Sequence, residues 1–520
     1  MKTFKILYIL PIALLITISC EQEVITLEPP APVVVTPPTG TKGSADFTKF
    51  VAIGNSLTAG YQSGALFNEG QQNSLPLIMS KQFSIAQGTT IAFNQPDINS
   101  VNGYFGIAGT KVLGRLILFD SDGAGPKTVA PAPAGSAGMP APYTGGDLPA
   151  AFAGDKTKLN NFGVPGILLG QALIPDTGNP ASPYYNGLWA RFASAPGVKS
   201  ILQDAIAAQP TFFMFDLGNN DVLGYATGGG SNPAIFTSVT NFQAQYGGAI
   251  ATLLGSLPNA KGVVANIPDV TTIPFFLTVT WNVIALDAAT ATTLTTNLAN
   301  GYNAFLDGMK AAGKISSEEA AKRKLTYTAG KNGVLLTDET LTDLTPFMNA
   351  SPSTQPLIPY ARARQATATD LITLSAGAIL GTALPGSGGT AVYGVSFPVG
   401  DQYVLIPTET TEIKDRTIAF NNIIKGIADA NPTRLAFADV NATFTTLVTN
   451  KAGVYNGVTI TPNFAPPTGV FSEDGVHPNS RGYSFMANVF IDAINAKFGA
   501  TIPKASIADY KGTGLPVSAQ

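Results

Sequence analysis

His477 is the only histidine in the 520-residue chain, and an aspartate, Asp474, precedes it by three residues. In a turn, a carboxylate at this spacing can accept a hydrogen bond from one ring nitrogen and leave the other nitrogen free. The free nitrogen could then take a proton from a nucleophile. Because most lone histidines have no chemical role, the pair predicts an active site only if a nucleophile accompanies it.

Ser56 is the candidate nucleophile. It lies in the run GNSL at 54–57, directly after a buried strand that the apolar residues over 48–53 predict. A strand followed by a tight turn and a helix start places the Ser56 hydroxyl at the carboxyl edge of a sheet, where ligands bind in open α/β folds. The Ser56 N–H would point out of the same turn, available to an anion. A serine in this position is also a common helix N-cap, so the run alone is a weak signal.

Two further runs could supply hydrogen-bond donors to a negatively charged oxygen. The run NFGVPG at 161–166 ends on Gly166, whose backbone can approach a ligand because glycine has no Cβ. The run GNND at 218–221 follows a predicted buried strand and contains Asn220, whose amide could donate to a developing oxyanion. Taken separately, each run is more often an ordinary turn.

In chain order, these four runs resemble the four sequence blocks of the SGNH (GDSL-type) hydrolase family, which contribute serine, glycine, asparagine and histidine. The resemblance implies that Ser56 is the nucleophile and that Asp474 and His477 complete a catalytic triad. It also implies an oxyanion hole formed by Ser56, Gly166 and Asn220. The strongest support is that the only histidine occupies the one position that the family requires.

One residue departs from the family pattern. Asn55 stands where the family usually has aspartate, directly before the nucleophile. That position does not supply the triad acid, so the departure leaves the triad intact and bears on hydrogen bonding in the turn, and hence on rate. The competing α/β-hydrolase class is excluded more firmly, because the chain contains no G-x-S-x-G nucleophile elbow.

The elements between these runs predict an α/β fold. Buried strands that alternate with amphipathic helices are typical of a parallel sheet covered on both faces. The resemblance narrows this prediction to a three-layer, flavodoxin-like SGNH fold with a central parallel sheet. The predicted strands cover 48–53, 211–217, 262–266 and 434–440, and the predicted helices cover 410–430 and 481–497.

The spacing of the blocks also predicts the domain organisation. The catalytic domain is expected over 48–505, followed by a C-terminal tail at 506–520. Because compact family members are much shorter, large insertions are expected near 67–160 and 225–430. Within the second insertion, the apolar stretch around Phe275, Phe276 and Trp281 could be an acyl-binding wall or lid, or else the core of an inserted subdomain.

The N-terminal residues predict export and a lipid anchor. Two lysines precede an apolar run over 6–18 that is too short to span a bilayer, which is typical of a signal peptide over 1–19. The run TISC at 17–20 resembles a bacterial lipobox, which implies that Cys20 is acylated; the alternative is an ordinary secretory signal with an incidental cysteine. Residues 20–47 are then a Pro-rich tether. The protein is therefore expected on the bacterial cell envelope, bound to the outer membrane through its lipid.

Composition excludes several other functions. The net charge of −3 becomes −5 when the two signal-peptide lysines are removed, so no basic footprint for nucleic acid is present. One histidine and one cysteine exclude zinc fingers and internal disulfides, and no metal or cofactor is expected.

Three hypotheses follow from these observations. The first is a serine ester hydrolase (an esterase, lipase or acylhydrolase) that acts on lipid esters or acetylated glycans. The second is a lipid- or glycan-binding lipoprotein with weak or no catalysis on the same scaffold. The third is a structural surface lipoprotein in which the four runs are coincidental.

Overall fold

A parallel five-stranded sheet lies at the centre of the computed structural model, which describes residues 38–123 and 129–519. The strand order is β5-β4-β3-β1-β2, the flavodoxin-like order of a doubly wound sheet. The predicted α/β class with a parallel sheet is therefore confirmed. The strands are β1 (Phe50–Gly54), β2 (Asn161–Gly163), β3 (Phe212–Asp216), β4 (Lys261–Ala265) and β5 (Leu435–Ala438).

Helices cover both faces of this sheet. Val51 and Ile53 of β1 pack with helices Ile201–Ala207, Val239–Ser256 and Pro407–Ala430, whereas Phe50 and Ala52 pack with helices Leu75–Gln87 and Ser480–Phe498. Since alternate residues of one strand contact opposite helix layers, the strand is apolar throughout and buried on both faces. The helices are α1 (Ser56–Ala59), α2 (Leu75–Gln87), α3 (Ile201–Ala207), α4 (Asn220–Thr227), α5 (Val239–Ser256), α6 (Pro407–Ala430), α7 (Val440–Asn450) and α8 (Ser480–Phe498).

The predicted strands and helices agree with these bounds to within a few residues. The strand that the sequence did not predict is β2, which has only three residues and runs directly into the turn that ends at Gly166. Among the described residues, no helix combines the length and the apolar character needed to cross a membrane. The predicted signal peptide, Cys20 and the tether up to residue 37 lie outside the described residues.

The second insertion is narrower than predicted. Its own apolar clusters lie between Ile284 and Val404, whereas β4, α5 and α6, all within the predicted range 225–430, belong to the central layers. The expectation was too wide because sequence periodicity does not show which layer a helix joins. The inserted unit pairs strands Ile284–Leu286 with Gly330–Asn332, Leu335–Thr337 with Ala363–Gln365, and Leu371–Ile372 with Val404–Leu405, around helices Ala288–Leu294, Asn300–Ala311, Ser317–Arg323 and Thr345–Met348.

The predicted boundaries at both ends also change. Phe47 is fully buried in the core, so the predicted tether 20–47 extends too far, and the compact unit begins near Thr39. Helix α2 lies within the predicted insertion 67–160 but packs on the sheet. The predicted tail 506–520 contains a strand that joins a small sheet. The remaining elements include the strands Gly106–Ala108, Lys111–Leu113, Leu116–Asp120, Val129–Pro133 and Val517–Ser518, and the hairpin Gly453–Tyr455 with Val458–Ile460.

Candidate active site

Ser56, His477 and Asp474 form a continuous hydrogen-bonded chain. Ser56 follows β1 as the first residue of α1, and His477 lies in the loop that precedes α8. The Nε2 atom of His477 is 2.9 Å from Oγ of Ser56, and its Nδ1 atom is 2.9 Å from Oδ2 of Asp474. The structure thus brings together three residues that the sequence separates by up to 421 positions. This geometry lets one imidazole accept the serine proton while the carboxylate holds its opposite nitrogen.

The Asp474 carboxylate is held by several donors. Its Oδ1 accepts the backbone N–H groups of Val476 and His477, each at 2.8 Å, and its Oδ2 accepts the N–H of Gly64 at 2.8 Å. Burial alone would raise the pKa of Asp474, but the facing His477 and these hydrogen bonds outweigh it and lower the pKa. An ionised Asp474 favours the tautomer in which Nδ1 of His477 carries the proton, so that Nε2 is free to act as a base.

Tyr61 supports the imidazole from the side, a contact that the sequence did not predict. The ring centroids of Tyr61 and His477 are 4.8 Å apart, and the hydroxyl of Tyr483 donates to the Tyr61 carbonyl. Burial, and then the nearby Asp474, raise the pKa of the Tyr61 hydroxyl, which keeps it neutral. The one available signal was its position five residues after Ser56.

The three predicted oxyanion donors follow three adjacent strands. Ser56 follows β1, the middle one of these three strands. Gly166 and Asn220 follow its neighbours β2 and β3 at the same carboxyl edge. Gly166 has φ +75°, a left-handed conformation that favours glycine. The side-chain amide of Asn220 donates to the Ile167 carbonyl at 2.9 Å, which links the loop after β2 to the start of α4. The strand order therefore sets Gly166 and Asn220 on opposite sides of Ser56.

Asp221, the residue after Asn220, forms a second connection to the loop that follows β2. Its Oδ2 accepts the N–H of Leu169 at 2.9 Å, and its Oδ1 accepts the Thr237 hydroxyl at 2.7 Å. Burial raises the pKa of Asp221 to about 6. The carboxylate does not touch the triad, so we interpret it as a positioning residue for the loop that carries Gly166.

Asn55 caps the helix that begins at the nucleophile. Its Oδ1 accepts the N–H of Leu57 at 2.9 Å, as an aspartate in the same place could. Its Nδ2 is buried and has no hydrogen-bond partner among the described residues, and the same holds for Oδ2 of Asp216 at the end of β3. Burial raises the pKa of Asp216 to about 6. The departure from the family pattern therefore leaves the cap in place beside a buried polar environment.

An apolar cavity of about 100 Å³ opens beside Ser56 and His477. The predicted acyl wall around Phe275, Phe276 and Trp281 does not line it. Phe276 is buried in the main core, Phe275 packs against that core, and Trp281 packs within the inserted unit. The core interpretation of these residues is therefore right for this stretch, although two of them join the main core rather than that of the insertion.

One cluster of carboxylates in the described part of the chain could in principle hold a metal ion. Oxygens of Glu339, Asp401 and Glu409 lie within 4.8 Å of one another, and none of the three lines the cavity beside Ser56. Burial and the neighbouring carboxylates raise the pKa of Asp401 to about 7, and burial raises that of Glu409 to about 8. Protonation of Asp401 and Glu409 near neutral pH can therefore relieve the repulsion among the three carboxylates without a cation.

Comparison of the chain with protein-family models, with curated proteins and with solved structures finds no match.

Proposed function

We propose that the protein is a serine ester hydrolase of the SGNH type that acts through an acyl-enzyme. The observation that supports this proposal most directly is the hydrogen-bonded chain from Ser56 through His477 to Asp474. A serine is a weak nucleophile unless a base is within hydrogen-bond reach, and here the base and its orienting carboxylate are both at 2.9 Å.

In the proposed reaction, Oγ of Ser56 attacks the ester carbonyl carbon while Nε2 of His477 takes the hydroxyl proton. The tetrahedral intermediate collapses, the bond to the leaving oxygen breaks, and His477 gives its proton to the departing alcohol. A water molecule then attacks the acyl-enzyme with His477 again as the base, which releases the acid and restores Ser56. Asp474 stays ionised throughout and stabilises the imidazolium.

The tetrahedral oxyanion is proposed to receive hydrogen bonds from the N–H groups of Ser56 and Gly166 and from the side-chain amide of Asn220. One amide hydrogen of Asn220 bonds Ile167, so the other remains to serve the oxyanion. Replacement Asn220→Ala is expected to lower kcat by about 10²–10³-fold with KM little changed, because one donor is lost. A kcat within about threefold of the wild type would exclude Asn220 from the oxyanion hole.

The decisive experiment combines hydrolysis of p-nitrophenyl esters with covalent labelling by a fluorophosphonate, using the mature protein and Ser56→Ala. We expect the wild type to label once and to hydrolyse esters, and Ser56→Ala to do neither. Ser353→Ala is the matched control, because Ser353 is exposed and its hydroxyl forms a hydrogen bond with the hydroxyl of Ser351. Full activity in Ser56→Ala would overturn the proposal.

The alternative of a binding protein predicts a different result from the same experiment: a folded protein that neither labels nor hydrolyses any ester.

We further propose that acylated Cys20 anchors the enzyme on the bacterial envelope. Wild-type protein is expected to incorporate a labelled fatty acid in bacterial cells, whereas Cys20→Ala should incorporate none. Equal labelling of the two proteins, or no labelling of the wild type, would contradict the anchor.

A further inference from the structure

We propose that the cavity beside Ser56 is an acyl-chain site, and that the substrate is an ester of a medium-length fatty acid rather than an acetylated glycan. This inference rests on the proposed hydrolase function and names its substrate class. An acetyl group needs no cavity of this kind, whereas a hydrocarbon chain gains free energy from each methylene that it buries.

Two helices form the long walls of the cavity. From α8, Gly482, Phe485, Met486 and Val489 line it, at the spacing that places residues on one helix face. From α7, Val440, Thr443 and Phe444 line it, again at the spacing of one helix face. Each helix therefore presents a continuous stripe to the space between them.

The lining is suited to hydrocarbon and poorly suited to sugar. Within the described part of the chain, no Asp, Glu, Lys or Arg lines the cavity, and apart from Thr443 on α7 its polar side chains are Asn55, Ser56, Asn219 and His477. Sugar hydroxyls placed among Phe444, Val470 and Phe485 would lose their bonds to water without gaining new ones. An alkyl chain loses nothing polar there.

The position of the cavity favours the acyl part of the ester over the alcohol part. The cavity extends from Ser56 towards α7, which follows β5, whereas Gly166 follows β2 at the opposite edge of the sheet. The acyl group stays bonded to Ser56 after the first step, while the alcohol must leave before water attacks. A groove between two packed helices suits the part that stays.

The dimensions of the cavity limit the chain length. From Gly482 to Val489 the α8 wall spans seven residues, about 10 Å along the helix, which matches an octanoyl chain. Beyond Phe485 and Val489 begins a second cavity of about 300 Å³, whose lining includes Asp492 and Lys504. A chain much longer than octanoyl would place its methyl end against these charged groups, so activity should fall again towards palmitate.

The first test measures kcat/KM for p-nitrophenyl esters from acetate to palmitate. At roughly fourfold per buried methylene, the value should rise by at least about tenfold from acetate to octanoate. Val489→Trp, which fills the far end of the cavity, should lower the octanoate-to-acetate ratio by about tenfold or more, and Phe444→Ala should shift the optimum to longer chains. Val198→Trp makes the same change at a site that is 71% exposed and should leave the ratio unchanged.

A second pair of esters separates acyl from alcohol binding. Methyl octanoate should be hydrolysed faster than octyl acetate, and the reverse order would overturn the acyl assignment. An optimum at acetate, or a ratio that Val489→Trp does not change, would overturn the acyl site while Ser56-dependent hydrolysis leaves the hydrolase function standing.

A binding measurement tests the cavity without catalysis. Ser56→Ala protein should bind sodium octanoate in a calorimetric titration, and the added Val489→Trp change should weaken that binding at least about tenfold. Failure of octanoate to bind would overturn the acyl site whether or not the enzyme is active. Binding without any fluorophosphonate labelling of the wild type would support the cavity and overturn the hydrolase function.

Discussion

The hydroxyl of Ser56 and the carboxylate of Asp474 contact opposite nitrogens of one imidazole. Because the carboxylate also accepts the backbone N–H groups of Gly64, Val476 and His477, its position does not depend on the His477 side chain. The imidazole, in contrast, depends on Asp474 for its tautomer. Asp474 and His477 therefore have distinct roles in this hydrogen-bonded triad, and separate substitutions can test them.

The role of Asp474 predicts a large effect from a small change. Asp474→Asn keeps the shape of the side chain but favours the wrong tautomer of His477, so kcat should fall about 10⁴-fold, measured with p-nitrophenyl octanoate. The control is Glu473→Gln, a neighbouring buried carboxyl whose Oε2 accepts the Ser63 hydroxyl and which does not touch His477. Equal losses in the two variants would contradict the proposed role of Asp474.

The buried carboxyl of Asp216 predicts a dependence of stability on pH. Its pKa is raised from 3.8 to about 6 by burial, so the folded state binds a proton that the unfolded state releases between about pH 4 and 6. Stability from this group is therefore present at acidic pH and lost as pH rises through about 6. Asp216→Asn removes the titration and should gain about 2–3 kcal/mol relative to the wild type between pH 4 and 7.5. Urea unfolding at both pH values measures this difference, and parallel pH profiles for the two proteins would refute it.

At the level of elements, the start of α8 determines where His477 lies. Asn479 caps this helix through Oδ1, which accepts the N–H of Gly482 at 3.0 Å. Its Nδ2 donates to the carbonyls of Gly469 and Phe471, each at 2.9 Å. The buried Asn479 side chain thus joins α8 to the segment 469–471, which precedes the loop that carries Asp474 and His477.

Removing this cap should affect both stability and activity. Asn479→Ala should lower the free energy of unfolding by about 2 kcal/mol or more, because a cap and two buried hydrogen bonds are lost. It should also lower kcat/KM by about tenfold or more as His477 loses its support. Asp287→Ala removes an exposed cap of helix Ala288–Leu294 in the inserted unit and should cost about 1 kcal/mol without changing kcat/KM. Comparable activity losses in the two variants would show that the cap has no special role.

At the level of the whole molecule, two kinds of core coexist. The central layers share large apolar clusters, whereas the inserted unit combines smaller clusters with a buried ion network. In that network Arg364 pairs with Asp370 at 2.7 Å and with Asp338 at 2.5 Å, and all three side chains are at most 2% exposed. The N–H of Phe275, at the entry to the insertion, donates to the Gly475 carbonyl and so links this region to the loop that carries Asp474 and His477.

Breaking the buried ion network should destabilise the inserted unit more than the central sheet. Asp370→Ala leaves part of the Arg364 charge uncompensated and should cost about 3–5 kcal/mol, seen as a lower Tm. Hydrogen exchange should accelerate in 330–372 more than in β1, β3 and β4. The control is Asp429→Ala, which breaks an exposed pair with Lys425 and should cost less than about 1 kcal/mol. Uniform acceleration across the central sheet would contradict two separately stabilised cores.

The sequence by itself predicted the candidate triad and determined the class of fold. Ser56, Asp474 and His477 could be chosen because four short runs resemble the SGNH blocks, and because the one histidine stands three residues after an aspartate, a spacing at which the two can meet in a turn. Apolar periodicity likewise predicted four of the five central strands, since burial on both faces requires an apolar run.

Only the tertiary structure decided what surrounds these residues. The sequence left Phe275 and Phe276 open between an acyl wall and a core position, and the structure places them in or against the core. The cavity is lined by helix faces about two hundred residues further along the chain. The sequence likewise did not predict the contact of Tyr61 with His477, the short β2 or the residues at which the insertions begin and end. Local patterns report which face of an element is apolar, but the partner of that face depends on the packing of distant segments.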